Sequence, residues 1–265
     1  MPSKHRVRVF SMVAILVLLA TRLANIQQVS GTVSDPEGNP IFGVFVTAKN
    51  LSTGMAATVV TDSEGWYEMP GLPPGTYRIE AAQIGFDRSR YDSVEIYNRV
   101  RKHDFSLAAN TDKSDQIPSS VFLNVLPQGE RKRKFILDCT GCHQFDKSFV
   151  FLEDHPRSRD SWKESTGRML EWFGPSSKFP IIAFGQDAEG IADWLVRHLS
   201  ELESAHRTFS KPPPVSGSAQ RVMYTEYDFP VPFDLPHDLM VDHDGQIVIT
   251  GMFSHAMYRL QPTTG

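Results

Sequence analysis

The feature that most constrains this chain is the segment Cys139-Thr140-Gly141-Cys142-His143, which contains the only two cysteines among 265 residues. Thiols three positions apart lie on one turn of a helix. They can add to both vinyl groups of a porphyrin while the adjacent imidazole binds the iron as its proximal ligand. The spacing therefore predicts one covalently bound haem c, with Cys139 and Cys142 as attachment residues and His143 as an iron ligand.

Other uses of the same segment are limited by the cysteine count. A four-cysteine zinc site cannot form within a chain that has two cysteines. His237 and His243 lie more than ninety positions downstream, far outside the zinc-finger spacing of roughly 12 to 15 residues. A structural disulfide or a thioredoxin-type redox pair remains the alternative, although residues 131–138 show no buried strand leading into the segment.

The N-terminus has the pattern of an export signal. Basic residues between Lys4 and Arg8 precede an apolar run over residues 9–20. About twelve apolar residues suit a signal peptide, whereas a transmembrane helix needs about twenty. We expect residues 1–24 to be a signal peptide, with an uncleaved N-terminal anchor as the alternative, and the protein to be exported to the periplasm or the cell surface.

Composition narrows the classes of partner. The net charge is −4, and 22% of the residues are charged, which describes an ordinary globular chain without the basic surplus of a nucleic-acid-binding protein. The length favours about two domains. We expect no nucleic-acid partner, and membrane contact only through an uncleaved N-terminal segment.

Residues 28–108 show alternating short apolar runs and no helical periodicity, which predicts an all-β module. The separators are rich in proline, glycine and aspartate, as turns are. Six or seven strands of this length form a small β-sandwich. The predicted strands are residues 29–33, 44–49, 57–61, 66–69, 76–82 and 93–96.

The same residues resemble a known family. The resemblance is carried by Gly31-Thr32-Val33, Gly38-Asn39-Pro40-Ile41, Thr61-Asp62-Ser63-Glu64-Gly65-Trp66-Tyr67, Leu72-Pro73-Pro74-Gly75-Thr76-Tyr77 and Gly85-Phe86. In that order they are similar to the carboxypeptidase regulatory-like, or prealbumin-like, β-sandwich. The resemblance implies a non-catalytic extracellular module, grouped with carbohydrate-binding-like folds, that could take a glycan or protein ligand. Trp66, Tyr67 and Tyr77 are candidates for a ligand platform, although aromatic residues in strands are more often core.

A polar linker over residues 109–120 leads into a predicted all-α haem domain over residues 121–208. Apolar periodicity predicts helices over 129–138, 158–173 and 187–203. Helices on both sides of a haem-attachment segment resemble the class I cytochrome c fold.

The second axial ligand of the iron is expected to be Met169. A methionine opposite histidine raises the reduction potential, and Met169 is the only methionine between residues 70 and 222. The segment from Trp162 to Met169 resembles the Trp…Arg-Met segment of small bacterial c-type domains, in which the methionine is the distal ligand. The alternatives are core packing of Met169, ligation by His155, His198 or His206, and an open sixth position.

After a linker over residues 209–221, residues 222–265 return to strands, with a hairpin turn at Asp242-His243-Asp244-Gly245. Four short strands in about forty residues predict one β-propeller blade. The segments around Pro236-His237-Asp238 and Tyr258-Arg259-Leu260 resemble the first repeat of streptogramin lyase-like, NHL-type propellers. We therefore expect a truncated propeller, and no catalytic residue of that family transfers to this sequence.

The leading hypothesis is an exported electron-transfer module that uses a redox partner protein or an attached propeller domain. The alternatives are the N-terminal part of a lyase or dehydrogenase propeller enzyme, and a cell-surface protein that binds carbohydrate or protein. Whether the whole protein is an enzyme stays open at this point.

Overall fold

A computed structural model arranges the chain in two compact units. The first unit contains the residues up to Ala109 together with Pro213–Gly265, and the second is Asn110–Pro212. The signal segment 1–24 and the pair Cys142 and His143 lie outside the described residues. Within the described ranges, no helix is long and apolar enough to cross a membrane. The structure describes residues 28–97, 100–111, 113–141, 144–153, 155–178, 180–182, 185–210, 213–232 and 234–265.

The first unit begins with eight strands. All six predicted strands are confirmed, and two short strands follow them. In chain order the strands are β1 (Gln28–Ser34), β2 (Phe45–Asn50), β3 (Ala56–Val60), β4 (Trp66–Pro70), β5 (Gly75–Ala82), β6 (Ser89–Ile96), β7 (Val100–Lys102) and β8 (Phe105–Ser106).

Turn chemistry sets the ends of these strands. Between β3 and β4 the Asp62 carboxylate accepts hydrogen bonds from the backbone N–H groups of Glu64 and Trp66, both at 2.9 Å. Gly65 supplies the positive φ of 72° that this tight turn requires. The local sequence alone is therefore enough to reverse the chain here.

Two sheets enclose the core of the sandwich. One has the order β4-β1-β7, with β8 also paired to β1, and the other contains β3-β2-β5-β6. Tyr67 and Tyr77 are buried between them, and their hydroxyls donate to the carbonyl oxygens of His103 and Pro73, each at 2.7 Å. Both tyrosines are therefore core residues rather than a ligand platform, while Trp66 is 38% exposed.

The second unit is mainly helical and contains one small two-stranded ladder. Its elements are α1 (Ser119–Val125), α2 (Glu130–Cys139), α3 (Lys147–Val150), β9 (Phe151–Leu152), β10 (His155–Pro156), α4 (Arg159–Phe173), α5 (Ala188–Arg197) and α6 (Leu199–Thr208).

The long helix predicted over residues 187–203 is in fact two helices. The chain leaves helical geometry at His198, with φ −108° and ψ 21°. The break redirects α6 so that Leu202 and Ala205 join Leu195 in the same core. The apolar stripe was visible in the sequence, but the change of direction serves tertiary packing, which local periodicity does not report.

The C-terminal strands are β11 (Tyr224–Glu226), β12 (Pro236–Val241), β13 (Ile247–Gly251) and β14 (Met257–Leu260). Strands β12, β13 and β14 form an antiparallel three-stranded sheet. In contrast to the expected four-stranded grouping, β11 pairs antiparallel with β3, and Tyr224 lies opposite Thr58. A 2.7 Å ion pair between Lys49 and Asp228 lies beside this edge.

One buried hydroxyl supports the loop between β1 and β2. Thr61 is fully buried; its Oγ1 donates to the Ile41 carbonyl at 2.7 Å and accepts from the Val44 N–H at 2.9 Å. We predict that Thr61→Val lowers the free energy of unfolding of the sandwich by about 2–4 kcal/mol, because both backbone groups lose a partner in a buried place. Exchange protection of the β2 and β3 amides measures the loss.

The matched control is Thr58→Val. Thr58 is half-buried, and among the described residues its hydroxyl bonds only the Thr47 hydroxyl, at 2.8 Å, so the loss should stay within about 1 kcal/mol. Equal losses in the two variants would show that Thr61 is not a special support.

Candidate cofactor cavity

The second unit encloses a cavity of about 330 Å³, within the size range of small-molecule and cofactor sites. Its wall is contributed by α2, α3, α4, α5 and the segments that precede α4 and α5. Most of the lining is apolar. The apolar lining residues are Phe135, Phe149, Trp162, Leu170, Phe173, Ile181, Ile182, Ile191 and Leu195.

Cys139 lies in this wall at the end of α2. Thr140 caps the end of this helix, where both its backbone N–H, at 3.3 Å, and its hydroxyl, at 2.8 Å, donate to the Ile136 carbonyl. Burial, and secondarily the charge of Asp138, raises the pKa of the Cys139 thiol to about 12. The neutral thiol is therefore the stable form, and the thiolate that redox or zinc chemistry needs is disfavoured.

Met169 lies in the same wall, on α4. That helix begins at Ser158, whose hydroxyl accepts from the Ser161 N–H at 3.2 Å. It ends at Gly174, whose N–H bonds the Leu170 carbonyl at 2.8 Å, and where a Cβ would lie 2.2 Å from that carbonyl oxygen. The cavity thus brings together two sulfur-bearing residues that are thirty positions apart in the chain.

Four charged or amide side chains that the sequence analysis did not single out also line the cavity, together with the hydroxyl side chains of Ser165 and Thr166. Two of them, Arg157 and Arg168, meet at Ser165, whose hydroxyl accepts from Arg157 Nη1 at 2.8 Å and from Arg168 Nη2 at 3.3 Å. The others are Asp138 and Gln186, joined by a 2.9 Å hydrogen bond from the amide to the carboxylate. An arginine in a polar segment is not part of an apolar periodicity, so the sequence pattern does not identify Arg157 or Arg168 as cavity residues. Their position in the fold does.

The histidines that the sequence analysis named as alternatives to Met169 do not line the cavity where the structure describes them. His155 is exposed on β10, and His198 contacts Glu201 and Trp194 rather than the cavity. The side chain of His206 lies outside the described part of the chain. His237 and His243 are exposed in the C-terminal sheet and its turn.

The basic run over residues 131–134 is not a uniformly solvated helix face. Lys132 is 6% exposed and donates to the Leu126 carbonyl at 3.1 Å, so burial lowers the pKa of its amine. Lys134 forms an ion pair with Glu130 at 3.1 Å.

Comparison with protein families gives one match. The carboxypeptidase regulatory-like domain matches residues 28–108, the segment that forms the eight-stranded part of the sandwich. Residues 28–108 are a carboxypeptidase regulatory-like domain. The match covers less than a third of the chain. A search of curated proteins gives no match.

Three solved structures are among those that match part of this chain. The Bacillus anthracis TIE protein is 18% identical with a TM-score of 0.26, and the match covers 32% of this chain and 17% of that chain. The 5-hydroxyisourate hydrolase of Klebsiella pneumoniae is 22% identical with a TM-score of 0.26, over 32% and 91% of the two chains. A carbohydrate-binding protein from Bacteroides uniformis, described as putative in its name, is 15% identical with a TM-score of 0.27, over 30% and 40%.

This chain therefore spans less than two thirds of the Bacillus and Bacteroides proteins. The three matches cover 30–32% of this chain.

The burial of Cys139 predicts an unusual pH dependence. In a Cys142→Ser variant Cys139 is the one remaining cysteine, and its thiolate is the form that reacts with iodoacetamide. Because its pKa is raised to about 12, the thiolate fraction and the alkylation rate should still rise about tenfold per pH unit between pH 8 and 10. Mass spectrometry of the Cys139 peptide gives the rate.

Denaturant provides the control for this experiment. In the unfolded chain the thiol regains its ordinary pKa near 8.5, and the rate should level off above about pH 9. A plateau near pH 9 in the folded protein would contradict burial of Cys139.

Proposed function

We propose that residues 121–208 form an exported electron-transfer module that carries one covalently bound haem c. The observation that supports this most directly is that Cys139 and Met169 line one apolar cavity in the helical unit. Cys139 belongs to the haem-attachment segment, and Met169 is the candidate distal ligand. The fold thus juxtaposes two residues that the proposal requires to be close.

The residues of the cavity fit such a group. A haem needs apolar walls, a thiol for attachment and a soft axial ligand, and Phe135, Phe149 and Trp162 supply part of that wall. Two buried nitrogens of the lining, Nε of Arg157 and Nε1 of Trp162, have no hydrogen-bond partner among the described residues. Unpaired buried donors favour an occupant that brings acceptors.

The chain's own residues have separate roles in this proposal. Cys139 and Cys142 would hold the haem through two thioethers; each would come from addition of a thiol across one vinyl group, with the thiol hydrogen going to the terminal carbon, so no oxidant would be consumed. A thioether is uncharged and agrees with a buried Cys139 whose thiolate is disfavoured. His143 is the proposed proximal ligand of the iron.

Met169 is the proposed distal ligand, and its thioether favours ferrous iron and so raises the reduction potential. The aromatic wall excludes water and keeps the local dielectric low. The bound haem supplies the one-electron chemistry, while the protein supplies position and environment. A redox partner protein, or an attached domain, is the proposed source or acceptor of the electron.

A second candidate function places this module in a propeller enzyme. The three-stranded antiparallel sheet β12–β14 exposes large apolar side chains, with Leu239 at 71%, Met240 at 64% and Met257 at 71%. Apolar exposure on this scale is typical of a surface that another element covers. A propeller blade packed against further blades would bury such side chains, and the haem module would then serve that enzyme.

Haem loading tests the leading proposal directly. We predict that the full chain, produced in a host with c-type haem maturation, retains its haem after acid-acetone extraction and gives the pyridine haemochrome spectrum of two thioether links. Cys139→Ala should give the spectrum of a single thioether link, because the second vinyl group stays intact. Protein that carries no covalent haem would refute the proposal.

Replacement of Met169 tests the distal ligand. In Met169→Ala the long-wavelength charge-transfer band of methionine-ligated ferric haem should disappear, and the reduced protein should bind carbon monoxide, because the sixth position is open. In Met169→His the potential should fall by on the order of 0.1 V. Met257→Ala, an exposed methionine in the other unit, is the matched control and should change neither property. A band that survives in Met169→Ala would rule out this ligand.

A further inference from the structure

Strand β3 is the outermost strand that residues 28–108 contribute to its sheet, and the chain places β11 on its outer edge. The strand order is β11-β3-β2-β5-β6. In this antiparallel pair Tyr224 lies opposite Thr58, and Glu226 lies opposite Ala56. An edge strand offers backbone N–H and C=O groups to an extended chain, and β11 shows that this edge accepts one.

Backbone pairing rather than side-chain burial holds β11 in place. All side chains over residues 221–226 are exposed, that of Tyr224 by 58%. A backbone hydrogen bond contributes about 0.5–1.5 kcal/mol net, and segments with few buried contacts open at a low free energy. β11 can therefore leave the edge while Ala57 and Val59 of β3 stay packed in the sandwich core.

The chain's own strand uses only part of this edge. β3 extends over five residues to Val60, but β11 pairs only as far as Thr58. Within the described residues, no strand pairs with Val59 or Val60 on this side. The chain turns away through the 3-10 helix Gly217–Arg221 before it could do so. A polypeptide that stays extended over five residues would pair with the whole of β3.

One row of side chains across the sheet carries positive charge. Residues directly opposite each other in neighbouring strands have their side chains on the same face. Arg78, Lys49, Ala56 and Glu226 are opposite one another in turn, so they form one row. Arg78 is paired with Asp92 at 3.2 Å, and the small side chain of Ala56 leaves Lys49 accessible from the edge.

Carboxylates of the occupying segment meet this lysine. The carboxylate of Asp228 lies 2.7 Å from Lys49 Nζ, and both side chains are largely exposed. Glu226 brings a second carboxylate into the same row. The next row on this face contains Glu80, whose charge is matched by Arg88 at 3.1 Å. Lys49 is therefore the charge that distinguishes one extended segment from another at this edge.

We propose that the outer edge of β3 is a docking site for an extended acidic segment of a partner polypeptide, and that Tyr224–Glu226 is the chain's own occupant of that edge. Main-chain hydrogen bonds supply the affinity, and Lys49 supplies the preference for acidic side chains. A partner segment that also pairs with Val59 and Val60 partly offsets the advantage of the tethered strand. The site lies in the first unit and does not depend on the haem proposed for the second.

The test uses the full chain and two fluorescently labelled peptides with blocked ends. The acidic peptide has the sequence of residues 222–229. The basic peptide has the same sequence with Glu226→Lys and Asp228→Lys. Fluorescence anisotropy gives the dissociation constant of each peptide for the wild-type chain and for the variants.

Charge reversal in the chain should decide which peptide binds. A chain with Glu226→Lys and Asp228→Lys repels its own strand from Lys49, so it should bind the acidic peptide on the order of 10-fold more tightly than the wild-type chain does. Lys49→Glu also repels its own strand but should bind the basic peptide instead. The chain with all three substitutions restores the attraction and should bind neither peptide more tightly than wild type.

Lys102→Glu is the matched control, because Lys102 is an exposed, ion-paired lysine on β7 of the other sheet. This variant should bind both peptides as the wild-type chain does. Hydrogen exchange locates the site: the β3 amides should exchange faster in the Glu226→Lys, Asp228→Lys chain and regain protection with the acidic peptide.

A 1:1 complex between the Glu226→Lys, Asp228→Lys chain and the Lys49→Glu chain would support the proposal and identify a second copy as an occupant of the edge. The released acidic strand of one chain fits the open edge of the other. Three outcomes would overturn the proposal: equal affinity of each variant for both peptides, no binding of the acidic peptide at about 1 mM, or protection by that peptide outside β3.

Discussion

The aromatic contacts of Phe145 hold together the two helices on which the cavity depends. Its ring meets Phe135 of α2 edge-on at 5.2 Å and lies 6.0 Å from Trp162 of α4, measured between ring centroids. Helix α2 carries Cys139, and α4 carries Met169. Because buried aromatic pairs combine large area with defined geometry, this cluster fixes the distance between the two sulfur-bearing elements. Ion pairs between α4 and α5, among them Arg159 to Asp193 at 2.5 Å, act at the exposed side of the same assembly, where such pairs contribute little.

The elements that local chemistry determines could be predicted from the sequence, and those that depend on distant partners could not. The six sandwich strands follow from alternation and from turns such as that at Asp62. The pairing of Tyr224–Glu226 with β3 depends on an edge contributed by residues far away in the chain. The three residues of β11 are all exposed, so their sequence has no alternation of buried and exposed positions from which the partner strand could be predicted. The break at His198 has the same origin, since tertiary packing overrides a continuous apolar stripe.

The candidate site divides in the same way. Cys139 and Met169 could be nominated because their residue types are rare in the chain and specific in chemistry, and the structure places both in one wall. Arg157 could not be nominated. It follows a proline in a polar segment, where an exposed arginine is the ordinary expectation, and only the fold stacks it on Phe149 and Trp162. A rare residue type can indicate a candidate site from the sequence alone. An arginine indicates one only when the structure shows that it is buried.

These two classes of residue impose complementary conditions on the cavity. The sulfur atoms of Cys139 and Met169 are neutral in their stable forms, so they favour an uncharged, polarisable contact. The guanidinium of Arg157 is charged; it stacks on the Phe149 and Trp162 rings and donates to the Ser165 hydroxyl, and the Asp138 carboxylate lies in the same wall. Arg157 and Trp162 each have a buried nitrogen without a hydrogen-bond partner among the described residues, and both line the same cavity as Cys139 and Met169. Departures from the usual rules of burial and hydrogen bonding are expected at functional sites. Any ligand that binds this cavity in the folded chain and not in the unfolded chain stabilises the helical unit by mass action.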